Sequence, residues 1–232
     1  MLKSTLMTQG KKVLILYITE RSGHHSAALA LKRAFDLKDP TGQVVCVNAF
    51  QYAFPFAEKI IHKLYLTVIK RVPLIWEKMY DNPKIVNNSQ KIKDWVHSLA
   101  VKKINSLIAQ IDPDIVICTQ AFPCGIVAEY KEAHPEKSKF RLIGVLTDFC
   151  PHAFWVYKNV DYYITACDES KDMLKNRGVL EEKIRPFGIP IDPKFANELS
   201  RTELLHNFGL NDNEPVVMIM GGGHGLGPIK DI

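Results

Sequence analysis

The stretch KKVLILYITERSGHHSAALALKRAF, residues 11–35, constrains this chain more than any other. It opens with an unbroken apolar run at residues 13–18. A strand with one face in water alternates apolar and polar side chains, whereas an unbroken run is the pattern of a strand covered on both faces. After a short turn the period changes. Ala27, Leu31, Ala34 and Phe35 share one side of a helix, and Lys32 and Arg33 fall on the other. The unit is strand, turn, helix.

The unit recurs. Apolar runs at 44–47, 115–118, 142–146 and 162–165 read as further strands, and helical patterns cover 125–134 and 168–177. Such alternation predicts right-handed βαβ units on a parallel sheet. The expected fold is α/β, a Rossmann-like doubly wound parallel sheet. Residues 51–111 break the rhythm: they hold no strand candidate, are interrupted by Pro55, Pro73 and Pro83, and predict a helical insertion of two or three helices. That insertion carries ten Lys and Arg against four Asp and Glu, an excess larger than the net +5 of the whole chain. A local basic excess suits an anionic surface. No recognised nucleic-acid motif accompanies it, so an anionic membrane surface is the expected partner and nucleic acid is not.

Composition sets the remaining bounds. An apolar share of 47% and a charged share of 24% exclude disordered and collagen-like classes. No apolar run approaches the ~18 residues of a membrane span, and the first ten residues lack the core of a signal peptide. The expectation is a cytoplasmic protein without a spanning helix. Five cysteines with no CxxC pair read as reduced thiols, and no metal site is expected.

Near the end of the chain Pro186, Gly188, Pro190 and Pro193 bar both helix and central strand, which reads as a linker over 187–199. Beyond it Ser200 and Glu203 fit a capping box and Gly209 a helix C-cap. An apolar run at 216–220, read as a buried strand, then enters GGGHGLG. The expected organisation is a domain at 1–186 with the insertion at 51–111, the linker, and at 200–232 the start of a second, incomplete α/β domain.

Turns at the carboxyl edge of an open parallel sheet are where ligands bind. In ERSGHHSAA, Gly23 offers close approach or a positive φ, Ser22 or Ser26 caps the helix, and His24 stands where a base meets a ligand. In LTDFCPHAFW, Asp148 and His152 suit a hydroxyl or head group, while Phe149, Phe154 and Trp155 suit either an apolar ligand or the core. TQAFPCG, with Phe122, is another turn at the same edge. The glycine turn after residue 220 presents backbone N–H groups to a phosphate. It is not the dinucleotide fingerprint, which belongs to a first strand–helix turn, and this argues against NAD.

Taken in order, SGHHSAALALKRAF, LTDFCPHAFW, FGIPIDPKF and MGGGHGLGPI resemble the monogalactosyldiacylglycerol synthases and the bacterial processive diacylglycerol glucosyltransferases. More distantly they resemble the glycosyltransferase that completes the lipid intermediate of peptidoglycan. The resemblance implies a GT-B-type enzyme of two Rossmann-like domains, of which this chain is the amino-terminal, acceptor-binding one. It implies inverting transfer of a hexosyl group from a UDP-sugar to diacylglycerol or a similar lipid, at the inner face of the plasma membrane, with no cofactor beyond the donor substrate. His24 becomes the catalytic base. Gly23, His25, Phe122, Asp148, His152 and Trp155 become acceptor-binding residues, and Gly221, Gly222, Gly223, Gly225 and Gly227 approach the donor diphosphate. The alternative expectation is a truncated, non-catalytic module that binds lipid or a partner.

Overall fold

A computed structural model describes residues 10–55, 90–211 and 214–221. Six strands form one parallel sheet in the order β2-β1-β3-β4-β5-β6: β1 (Lys12–Tyr17), β2 (Gln43–Asn48), β3 (Ile115–Cys118), β4 (Arg141–Val145), β5 (Tyr162–Ile164) and β6 (Ile184–Arg185). The expected doubly wound sheet is present. The order reverses at β1, which pairs with β2 on one side (Lys12 opposite Gln43) and with β3 on the other (Val13 opposite Ile115). That reversal opens a crevice at the carboxyl ends of β1 and β3.

Helices cover both faces. α1 (Gly23–Lys38) packs Ala28, Leu31 and Phe35 against Val13, Ile15 and Tyr17. On the other face Leu14 and Leu16 meet α3 (Gln90–Ile111) and α4 (Ala121–Ala133). The buried Ala100, Ile104, Leu107 and Ile108 of α3 recur every three or four residues, the period of one helical stripe. Leu14, Ile15 and Leu16 are fully buried, each contributing roughly 1.5–3 kcal/mol of transfer free energy.

α4 begins at Ala121, four residues before the sequence pattern places it, because Pro123 sits in the first turn, where its missing N–H costs nothing. Gln120 caps it, its side chain accepting from the Phe122 N–H at 2.6 Å. Gly125 is dictated by close approach: a Cβ there would collide with the Tyr157 ring. α5 (Asp168–Asn176) follows β5 as expected. β6, two residues long, is an element the apolar pattern does not show.

The insertion is described only at its ends, in α2 (Ala49–Ala53) and α3. Residues 56–89, with most of its basic and aromatic side chains, lie outside the described residues. After β6 the chain docks rather than hangs: Asp192 pairs with Arg33 of α1, and a 3-10 turn forms at Pro193–Ala196. α6 (Arg201–Phe208) has the expected caps, Ser200 Oγ accepting from Glu203 N–H at 3.4 Å and Gly209 left-handed at φ 65°. The strand expected at 216–220 does not form. That segment pairs with none of the six strands, and its side chains are 45–82% exposed.

Candidate functional site

The turn from β1 to α1 lies at the crevice. It is held open by two residues other than glycine in the left-handed region, Thr19 at φ 63° and Arg21 at φ 58°. Each costs of order 1–3 kcal/mol and persists only where the surroundings over-determine it. Glu20, between them, supplies that restraint. Its Oε1 accepts from Tyr17 OH at 2.8 Å and from Asn48 Nδ2 at 3.3 Å, and its Oε2 lies 3.2 Å from His25 Nδ1. Ser22 donates its hydroxyl to Thr19 O at 2.6 Å and accepts from His25 N–H at 3.2 Å as the N-cap of α1. Gly23 is the first residue of α1 and does not take up a positive φ; it is exposed, with nothing within 4 Å of where a Cβ would stand. Its value is open space in front of the helix end.

His24 is fixed from two strand ends. Its Nδ1 lies 2.9 Å from Thr119 O, just beyond β3, and 2.7 Å from Thr147 Oγ1, just beyond β4. Thr119 Oγ1 donates to His24 O at 2.9 Å. A carbonyl oxygen has no proton to give, so in the neutral ring Nδ1 carries the proton and Nε2 keeps the lone pair. Burial pulls the His24 pKa below the ordinary value of 6.5, opposed by the Asp148 carboxylate and the Thr119 carbonyl and reinforced by His152. A neutral imidazole with a basic Nε2 at a ligand-binding crevice is suited to taking a proton from a hydroxyl.

The other expected residues divide. Asp148 and His152 are exposed and act electrostatically on His24, which places both at its rim. Phe149 and Phe154 are exposed beside them, 65% and 66%, with Phe154 edge-on to His152 at 5.5 Å and Phe149 O held by Ser170 Oγ at 2.6 Å. Trp155 is a correction: it is 1% exposed and packs in the core, so its ring is not presented to an acceptor. His25 is half-buried and stacks on Tyr17 at 4.5 Å, propping the turn from within. Phe122 packs against the core at the start of α4. Gly221 lies in chain without regular structure, and Gly222, Gly223, Gly225 and Gly227 lie outside the described residues. Among the described residues no cluster fit to hold a metal occurs.

Thr119 and Thr147, the hydrogen-bond partners of His24, are not singled out by the sequence pattern. The available signal was a hydroxyl residue directly after an apolar run, at the edge where a parallel sheet binds ligands.

A family model described as monogalactosyldiacylglycerol (MGDG) synthase matches residues 24–191. The chain belongs to that family. The match starts on His24 and takes in Thr119, Thr147, Asp148 and His152, whereas the glycine turn lies beyond it. Processive diacylglycerol beta-glucosyltransferase of Bacillus pumilus (strain SAFR-032) is 30% identical over 222 residues, covering 95% of this chain and 56% of its own. That of Bacillus cereus (strain G9842) is 32% identical over 234 residues, covering 97% of this chain and 57% of its own. This MGDG synthase family chain thus spans a little over half the length of the curated relatives it matches. The UDP-glucose complex of Anabaena HepE is similar with a TM-score of 0.49 at 12% identity, over 86% of this chain and 50% of that one. No described helix of the MGDG synthase family chain is long and apolar enough to cross a membrane.

Proposed function

We propose that this chain is the acceptor half of a glycosyltransferase of glycolipid biosynthesis, which moves a hexosyl group from a UDP-sugar to diacylglycerol or a similar lipid alcohol with inversion. The observation that carries the reading is His24, neutral and basic at Nε2, set in the crevice of a chain whose relatives are named diacylglycerol glucosyltransferases. The acceptor hydroxyl gives its proton to Nε2 as its oxygen bonds to the anomeric carbon. The bond from that carbon to the diphosphate breaks, and its electron pair leaves with UDP. Asp148 at the rim favours the imidazolium so formed. Backbone N–H groups of the glycine turn, Gly221, Gly222, Gly223, Gly225 and Gly227, are assigned to the departing diphosphate.

Phe149 and Phe154 give an acyl chain an apolar surface next to the base. The basic insertion is assigned to an anionic leaflet on the cytoplasmic side, where each Lys or Arg near the surface contributes about 1 kcal/mol. The test is glucose transfer from UDP-glucose to diacylglycerol in vesicles by the full gene product. His24→Ala is expected to lower kcat by about 10²–10⁴-fold and to leave vesicle binding unchanged. Undiminished turnover removes His24 from the chemistry.

A further inference from the structure

His24 has one more partner than a tautomer requires. The Thr119 carbonyl alone determines which nitrogen carries the proton. A ring held by that bond alone still rocks about its Cβ–Cγ bond within the tolerance of one hydrogen bond, and Nε2 moves with it. Thr147 Oγ1, at 2.7 Å from the same nitrogen and carried by a different strand end, removes that freedom. Since Nδ1 already bears its proton, the Thr147 oxygen accepts and its own hydrogen points elsewhere.

We propose that Thr147 is a positioning residue for His24, its hydroxyl oxygen serving as second acceptor of the Nδ1 proton and thereby aiming Nε2 at the acceptor hydroxyl. The assignment rests on the reading of His24 as base. Both acceptors strengthen their bonds when the ring becomes cationic, because a charged donor bonds more strongly than a neutral one. Thr147 therefore acts with the Thr119 carbonyl and the Asp148 carboxylate in favour of the imidazolium, against burial and the neighbouring His152. Glu20 in the same turn is engaged with Tyr17, Asn48 and His25 and is not among the charges that shift His24.

The experiment titrates the ring nitrogens of the ¹⁵N-labelled 232-residue protein by NMR, with His24 assigned through its loss in His24→Gln. The neutral parent is expected to show a protonated Nδ1 and an unprotonated Nε2. Thr147→Val, which keeps the shape and removes the oxygen, is expected to lower the His24 midpoint by about one pH unit, the size of one hydrogen bond to a charged group. Thr147→Ser restores it. If Val disturbs the fold, Thr147→Ala removes the same oxygen with less steric demand.

In the full gene product Thr147→Val is expected to lower kcat about tenfold, one pH unit's worth of base strength and orientation, with KM little changed. An unmoved midpoint in the oxygen-free variants overturns the proposal, whatever happens to transfer. A midpoint that moves while His24→Ala still transfers glucose refutes the base and leaves the coupling of Thr147 to His24 intact.

Discussion

Residues 13–17 and 216–220 are the two most apolar pentads flanking this chain's ends, and they meet opposite fates. Residues 13–17 of β1 are at most 7% exposed, with a ladder on either side and a helical layer over each face. In 216–220 they are 45–82% exposed and no ladder forms. Apolar side chains favour burial, but their peptide groups must be paired before they leave water, since each unpaired buried group costs about 1–3 kcal/mol. An apolar run becomes a strand only where neighbours accept its backbone.

The comparison breaks most easily in the core. Leu14→Ala is expected to destabilise the chain by about 2–5 kcal/mol, whereas Met218→Ala should stay within about 0.5 kcal/mol, both read from urea unfolding. A costly Met218→Ala would mean that 216–220 is buried in solution. The helix caps give a smaller contrast. Ser22→Ala should cost about 1 kcal/mol, and Ser200→Ala on the exposed α6 about 0.5 kcal/mol, the low end for a cap; comparable losses would tie α6 into the same cooperative unit as the sheet.

The smallest effect is in pH and belongs to the sheet region alone. Burial first, with His152, lowers the His24 pKa in the folded state against the Asp148 carboxylate and the Thr119 carbonyl. The unfolded chain therefore takes up a proton first as pH falls. The stability contributed by neutral His24 is complete above about 6.5 and is lost between that value and the lower, folded pKa. His24→Gln should flatten that part of the stability profile; an identical slope in both proteins would show that other groups set it.

The long strands were legible because Val13 to Leu16, Val116 to Cys118 and Leu142 to Val145 carry their burial in composition. The caps Ser22, Ser200 and Gly209 were legible because they act within a few residues. β6 was not, since Ile184 and Arg185 form a strand only by lying beside β5. The run 216–220 misled for the converse reason, having the composition of a strand without a neighbour. His24 could be singled out as a loop histidine, but its partners stand 95 and 123 residues away and are brought near only by the order of the strands. The restraint at Thr19 and Arg21 was equally hidden, because it depends on a glutamate that reaches across to β2.

The parallel ladder has a kinetic consequence. β3 to β6 pair with sequence neighbours, as do β1 and β2, but Val13 meets Ile115 only when the whole of α1, β2 and the insertion has been looped out. Closing so long a loop is an entropic cost met before its contacts form, which makes the β1–β3 seam a slow step of folding. His24 stands on one side of that seam, Thr119 and Thr147 on the other. The base is therefore assembled only when that long-range closure is made, so a chain in which β1 and β3 have not yet met holds its histidine without the neighbours that orient it.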